Sequence, residues 1–195
     1  MKLTAKFSYG RPLPVLAARS VWIVLIVAGG TCLSPFFACV TPFAALATLA
    51  ALKLGRSDAI AAVGLVWLTN QAIGYGIFGY PWTWDSVGWG VAIGASSELA
   101  ILAAGALSTT RPAPLAVSLP FVAAFTAFEA GLYLAGLVLP GGEGAFSASI
   151  VGHVFLINAI TLCGLMAIYN LAVMSGLFIG NNRAELIALP GTSFK

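Results

Sequence analysis

The segment SVGWGVAIGASSELAILAAGALS, residues 86–108, carries a single charged side chain, Glu98, in 23 residues. A helix of roughly 20 mostly apolar residues crosses the hydrocarbon core of a bilayer, which is about 30 Å thick. The segment therefore predicts a transmembrane helix. The whole chain has the same character, because 60% of its 195 residues are hydrophobic and 8% are charged, whereas soluble domains carry about 25% charged residues. We expect an integral membrane protein surrounded by lipid.

Charged residues and Pro/Gly punctuation divide the rest of the chain into further apolar segments. They predict an all-α fold, a six-transmembrane-helix bundle in one membrane domain over residues 1–195, with helices at residues 16–38, 41–55, 59–78, 86–108, 113–139 and 149–179. The second segment is short, since its 15 residues rise only about 22 Å as a helix. A start near Ser34-Pro35, or a tilted or partly re-entrant pair with the first segment, would account for its length.

The basic residues predict the orientation. All nine Lys and Arg fall on one side of the six predicted crossings: Lys2, Lys6, Arg11, Arg19, Lys53, Arg56, Arg111, Arg183 and Lys195. Short cytoplasmic loops of membrane proteins are enriched in Lys and Arg. We therefore expect both termini in the cytoplasm, and we interpret these charges as topology signals rather than as a surface that binds nucleic acid.

Aromatic residues are concentrated at the outer end of the predicted third and fourth helices. The run GYGIFGYPWTWDSVGWG, residues 74–90, contains Tyr75, Tyr80, Trp82, Trp84 and Trp89. An interfacial aromatic belt is one explanation. The cytoplasmic ends hold few aromatic residues, so an outward-facing pocket that stacks an organic ring is the other explanation.

Polar side chains within the apolar segments are the second group of site candidates, because an ionisable residue at membrane depth usually marks a site or a pathway. The predicted substrate-binding residues are Asn70, Gln71, Trp82, Trp84, Glu129, His153 and Asn158. In this hypothesis the tryptophans stack a ring, Glu129 receives a cationic or hydrogen-bond-donating group, and the amides fix the orientation. For His153, the alternative to ligand binding is a structural or interfacial role. Glu98 is either a functional residue or a structural acid that is hydrogen-bonded to a neighbouring helix.

Motifs of the common enzyme classes do not occur in the sequence. A single histidine excludes HExxH and multi-histidine metal sites, and there is no GxSxG or Walker A motif. We therefore expect a protein that is not an enzyme, with no catalytic residue, no metal and no cofactor. An intramembrane enzyme that uses Glu98, Glu129 and His153 is a weaker alternative.

Small residues mark faces on which membrane helices approach closely. Ala44, Ala47 and Ala51 share a face of the second segment, which ends at Lys53 and Arg56. This face predicts either packing within the chain or docking of another membrane subunit.

The segment VTPFAALATLAALKLGRSDAIAAVGLVWLTNQAIGYGIFGY, residues 40–80, contains a TP-x-x-A-L-A-rich helix, a short basic turn and a following helix. With six predicted helices and both termini inside, the chain resembles the substrate-binding S component of energy-coupling-factor (ECF) vitamin transporters, in particular one uncharacterised S-component-like group. The resemblance implies capture of a vitamin or vitamin precursor outside a bacterial inner membrane, with release driven by a separate transmembrane coupling protein and two cytoplasmic ATPases. It also implies that Ala44, Ala47 and Ala51 meet the coupling protein.

A structural or assembly subunit of a larger membrane complex is the main alternative function. In that hypothesis the small-residue faces bind other chains, and the aromatic residues form only an interfacial belt. It predicts a stable protein partner and no ligand.

Overall fold

The computed structural model describes residues 23–24, 26–29, 41–108 and 113–174, which form helices joined by short links. The five helices with defined bounds are α1 (Phe43–Lys53), α2 (Arg56–Gly76), α3 (Trp84–Leu107), α4 (Ala113–Gly136) and α5 (Ala148–Met174). Residues 23–24 and 26–29 are also helical. No strand occurs within these described ranges, which confirms the predicted all-α fold.

Three helical stretches are long and apolar enough to cross a membrane, namely Trp84–Leu107, Leu115–Gly136 and Ala148–Ile168. The 21-residue α2 is not among them, because the amides of Asn70 and Gln71 lower its mean hydropathy. The 11 residues of α1 rise about 16 Å, roughly half of a bilayer core. The protein is therefore helical and compatible with a membrane-embedded position, with three candidate spans in the part of the chain that the structure describes. The first predicted segment, residues 16–38, lies largely outside that part.

The observed helix ends fall close to the predicted ends. The largest differences are the start of α2, at Arg56 rather than 59, and the end of α4, at Gly136 rather than 139. Gly55 has an extended backbone, with φ −63° and ψ 154°, so a new helix starts directly at Arg56. Asp58 in its first turn complements the positive end of the helix dipole. The predicted end of the last helix, at 179, lies outside the described residues.

The short helix α1 lies at the centre of the bundle. Every residue from Phe43 to Ala50 is buried, and α2, α3, α4 and α5 all pack against this helix. Alanine side chains such as Ala44 and Ala47 permit this, because they let the surrounding backbones approach closely. The result is a half-length helix that is enclosed by longer ones.

The helices α3 and α4 pack along each other through a glycine contact. Gly131 of α4 lies against Ser96 of α3, and a Cβ added at Gly131 would lie 3.1 Å from the Ser96 Cβ. The turn between α2 and α3 contains Gly79 at a positive φ of 68°, a conformation that favours glycine. This turn holds the aromatic run beside the ends of both helices.

Candidate functional site

The first turn of α1 is capped by a side chain from another helix. Pro42 stands at the N-cap position and has no side-chain cap, so the first backbone N–H groups need other acceptors. The Ala45 N–H donates to Asn158 Oδ1 of α5 at 3.0 Å, and Asn158 Nδ2 donates to the Val154 carbonyl oxygen at 3.0 Å. Asn158 is 0% exposed. Its amide therefore joins α5 to the start of α1.

A second pair of amides reaches the same end of α1 from α2. Asn70 Nδ2 donates to Thr41 Oγ1 at 2.8 Å, and Gln71 Nε2 donates to Asn70 Oδ1 at 3.3 Å. Thr41 is buried. We call Thr41, Asn70, Gln71 and Asn158 the amide cluster. Three of the seven predicted site residues, Asn70, Gln71 and Asn158, thus meet around the start of α1.

The amide cluster is recessed below the α2–α3 turn. Asn70 precedes the last residue of α2, Gly76, by six positions, which corresponds to about 9 Å along the helix. Gln71 packs against Gly90 of α3, where an added Cβ would lie 2.5 Å from Gln71 Oε1. The glycine therefore makes room for the glutamine between the two helices.

Aromatic rings lie one helical turn above the amide cluster. The ring of Tyr75 lies 4.4 Å from that of Trp82, tilted by 31°, and 5.9 Å from that of Tyr80 in an edge-to-face arrangement. Tyr75 Oη and Ser86 Oγ share a hydrogen bond of 3.1 Å. We call Tyr75, Tyr80 and Trp82 the aromatic cluster. Trp82 is 79% exposed, so one edge of this cluster is free to stack on another ring.

The other three predicted residues lie apart from these clusters. Trp84 is 68% exposed and His153 is exposed, and no hydrogen bond joins either to the amide cluster within the described residues. Glu129 is partly buried on α4. Its neighbour Phe128 packs against Phe43 with ring centroids 6.0 Å apart. Glu129 therefore lies on a helix that borders the start of α1, without a described bond to the cluster.

The predicted docking face points into this chain. Ala44 and Ala47 are completely buried against the surrounding helices, and of the three alanines only Ala51 keeps part of its surface accessible. The small side chains serve packing around α1, for the reason given above. A partner subunit would find Ala51, and not Ala44 or Ala47, at the surface of the described chain.

Among the cavities of the described part of the chain, one lies at each end of the bundle. The larger, of about 450 Å³, lies where α1 ends and α2 begins, and its lining residues are Ala51, Leu54, Arg56, Ala59, Ile101, Leu102, Gly105 and Ala106. The smaller, of about 280 Å³, lies at the α4–α5 turn, and its lining residues are Tyr133, Gly136, Leu137, Gly142, Glu143, Gly144 and Phe146. None of the seven predicted site residues lines either cavity.

Sequence reasoning left Thr41 out of the site and assigned Glu98 either a functional or a structural role. Thr41 belongs to the amide cluster, and its position before Pro42 at the start of a helix was a usable signal. Glu98 has a buried carboxyl oxygen, Oε2, with no hydrogen-bond partner in the described part of the chain. Its place in the middle of a long apolar segment was the signal for it.

Comparisons with known proteins identify no relative: the chain matches no protein-family model, no curated protein and no solved structure. The resemblance of residues 40–80 to an ECF S-component-like group therefore remains an expectation from the sequence. The function is inferred below from the residues of the two clusters.

Proposed function

We propose that the protein is a membrane-embedded binding component for uptake of a small vitamin-like molecule, and that a separate coupling protein with cytoplasmic ATPases drives the transport. The observation that supports this most directly is the amide cluster at the start of an enclosed half-length helix, with the aromatic cluster one turn above it. Amide groups orient a polar heterocycle, and aromatic rings stack on it.

The enclosed start of α1 supports a transport role on physical grounds. Backbone that leaves a helix at membrane depth is tolerated where it is buried in protein or lines a cavity. Discontinuous helices with their ends near the bilayer midplane form the substrate sites of many transporters. In this proposal the ligand enters beside Trp82 and stacks on the aromatic cluster, and the amide cluster below it fixes the orientation of the ligand.

The proposal includes a topology of six crossings with both termini in the cytoplasm of a bacterium. It places the Lys53–Arg56 link inside and the α4–α5 turn outside. Single-cysteine variants without Cys32, Cys39 and Cys163 test this arrangement. A membrane-impermeant maleimide should label Ser147→Cys on intact cells and Ser57→Cys only after permeabilisation, and the reverse pattern would contradict the topology.

Ligand binding is tested by purifying the protein from its native membrane and identifying co-purified small molecules by mass spectrometry. We expect a heterocyclic compound, lost from Trp82→Ala and from Gln71→Leu by about tenfold or more, which corresponds to about 1.4 kcal/mol of binding free energy. Trp84→Ala shows whether this exposed tryptophan also stacks on the ligand, as predicted. Val138→Ala, at a 79% exposed apolar position, is the control and should retain the ligand. If no compound co-purifies and cellular uptake is unchanged in Trp82→Ala and in Gln71→Leu, the proposal fails.

Glu129 and His153 remain predicted ligand contacts that this experiment separates from the clusters. Glu129→Gln removes the charge and keeps the shape, so it should weaken binding only of a ligand with a cationic or donor group. His153 lies at an exposed position of α5, and His153→Ala removes its side chain. Retained ligand in this variant would assign His153 to the lipid interface.

A structural or assembly subunit is the second candidate function, and the exposure of α5 favours it. Only 17% of the apolar stretch Ala148–Ile168 is buried within the protein, which leaves a long outward face for lipid or for another chain. Gentle solubilisation followed by size determination should then recover a stoichiometric complex without a small molecule. Recovery of the chain with a bound small molecule and no partner would exclude this candidate.

A further inference from the structure

Glu98 is the polar group that the proposed ligand site does not use. It lies near the middle of α3, which is one of the three candidate spans, and its buried Oε2 has no hydrogen-bond partner among the described residues. An ionisable side chain at membrane depth is costly and usually marks a site or a pathway. The adjacent Ser97 is satisfied locally, because its Oγ donates to the Ile93 carbonyl oxygen at 2.7 Å. The isolation of Glu98 therefore requires an explanation of its own.

The carboxyl of Glu98 lies against α2 at a residue without a side chain. A Cβ added at Gly64 would lie 3.6 Å from Glu98 Oε1, an ordinary van der Waals contact, so Gly64 itself offers this oxygen no polar side-chain partner. On the side of the aromatic cluster, the side chain of Trp67 fills the space between α2 and α3. Its Nε1 donates to the Gly90 carbonyl oxygen at 2.7 Å, and its ring would lie 2.7 Å from a Cβ at Gly94. Access between α2 and α3 from that side is blocked.

The larger cavity lies on the other side of Glu98. Its lining residues Ile101 and Leu102 follow Glu98 on α3 by three and four positions, and residues with this spacing are neighbours on a helix surface. The cavity has a volume of about 450 Å³ and is lined by apolar residues and by Arg56, which makes one wall polar. Ile101 and Leu102 place the cavity about one helical turn from Glu98, which is not itself a lining residue.

The number of available ligand atoms selects the occupant. Ca²⁺ takes about six to eight oxygen ligands and Mg²⁺ about six, and no group of three or more His, Cys, Asp or Glu occurs in the part of the chain that the structure describes. A proton needs a single oxygen lone pair. A solitary carboxyl near a cavity therefore suits a proton better than a metal ion.

The charged groups of α1 and α2 lie away from Glu98 along the helix axes, whereas Glu129 of α4 lies at about the same depth, because Gly131 packs against Ser96 in the antiparallel pair α3–α4. On α2, Arg56 and Asp58 precede Gly64 by eight and six positions, or about 12 Å and 9 Å along the helix. Lys53 ends α1 beyond them. On α4, which packs against the Ser96 side of α3, the charged group is Glu129.

We infer that Glu98 is a proton-binding carboxyl within the membrane, which exchanges its proton with water in the cavity between α1, α2 and α3. The carboxylate takes one proton and becomes a carboxylic acid, with no other bond formed or broken. Proton binding at this position links the α2–α3 contact to the pH on the cavity side. It goes beyond the proposed ligand binding and does not depend on it.

Carbodiimide labelling tests the protonation. N,N′-dicyclohexylcarbodiimide reacts with protonated carboxyl groups in apolar surroundings, and the full-length protein in lipid nanodiscs is treated with it over a range of pH. We expect the adduct on the peptide that contains Glu98, increasing as the pH falls, absent from Glu98→Gln and unchanged in Glu143→Gln, which changes an exposed carboxyl on the α4–α5 turn. Because the position is read from unmutated protein, the result does not depend on the folding of a variant. Labelling that is independent of pH, or equal at Glu129, would overturn the inference.

Access through the cavity is tested by narrowing it. Gly105 lines the cavity, and a Cβ at this position meets nothing within 4 Å, so Gly105→Leu narrows the cavity from an open position. Gly152 on α5 is equally open, and Gly152→Leu is the matched control. Hydrogen–deuterium exchange of the Glu98 carboxylic-acid band, followed by infrared spectroscopy and assigned by its loss in Glu98→Gln, should slow about tenfold in Gly105→Leu only. Equal exchange rates in both variants would overturn the assigned route.

Discussion

The helices α1 and α5 are both apolar, but one lies inside the bundle and the other on its outside. α1 has 11 residues and is buried from Phe43 to Ala50, whereas α5 has 27 residues and only 17% of its apolar stretch is buried. α1 is rich in alanine, while α5 exposes large side chains such as Ile150, Leu156 and Ile160. Lipid tails are as apolar as leucine, so hydrophobicity does not sort these helices. Side-chain size does, because small residues allow several neighbours to surround one helix.

The two helices also differ in how their polar groups are used. Asn158 of α5 points inward and accepts the Ala45 N–H, whereas Asn170 on the same helix is exposed. A free backbone donor at the start of α1 therefore determines which asparagine is buried. The two helices therefore differ in their packing and are joined by the hydrogen bond between Ala45 and Asn158. Separate substitutions can disrupt the packing around α1 and this hydrogen bond.

Enlarging a side chain in α1 should have the largest effect. Ala47→Leu adds three carbon atoms to a fully enclosed position, and overpacking of this kind costs about 1–3 kcal/mol. The free energy of unfolding is measured by titration with SDS in mixed micelles. Ala167→Leu at an exposed position of α5 is the matched control and should change it by less than about 0.5 kcal/mol. Equal effects would show that α1 is not enclosed.

Removing the trans cap should have the next largest effect. Asn158→Leu leaves the Ala45 N–H without its acceptor, and we expect a loss of about 1–2 kcal/mol in the same titration. Asn170→Leu, on the same helix but exposed, should be nearly neutral. A neutral Asn158→Leu would mean that another acceptor replaces the amide.

The hydrogen bond between Trp67 of α2 and Gly90 of α3 should contribute less to the free energy of unfolding. Trp67→Phe removes the Nε1 donor to the Gly90 carbonyl oxygen and keeps most of the ring, at a cost of about 0.5–1.5 kcal/mol. Trp84→Phe makes the same chemical change at a 68% exposed position and should leave stability unchanged. If both variants lose the same free energy, the Trp67 hydrogen bond is not specific.

Shortening an outward side chain of α5 should have the smallest effect. Ile160 is 62% exposed, so Ile160→Ala should change the unfolding free energy of the purified protein by less than about 0.5 kcal/mol. The thermal stability of the same variant is also measured in the native membrane. A loss of stability in the membrane but not in the purified protein would indicate a protein partner on α5 and would favour the assembly-subunit alternative.

The helices were largely predictable, since the bounds of α3, α4 and the start of α5 follow from apolar length and Pro/Gly punctuation. Amides in apolar segments must find partners, and Asn70, Gln71 and Asn158 lie around the start of α1. Their role in binding a ligand stays a prediction. The positions of Trp84, Glu129 and His153 were not predictable, because depth along a helix does not say which direction a side chain faces. A small-residue face predicts either docking of a partner or packing within the chain. Ala44 and Ala47 are buried by packing against the other helices of this chain.

Composition and apolar length were sufficient to establish that this chain is helical and suited to a membrane, because a bilayer requires long apolar segments whose backbone groups bond within the segment. The position of each helix required the three-dimensional packing. Which helix is central, which amide caps it and why Glu98 Oε2 has no hydrogen-bond partner among the described residues all depend on close contacts between residues far apart in the chain. Such contacts depend on the shapes of the side chains and on the pairing of polar groups. In lipid, the hydrophobicity of a segment predicts neither of these.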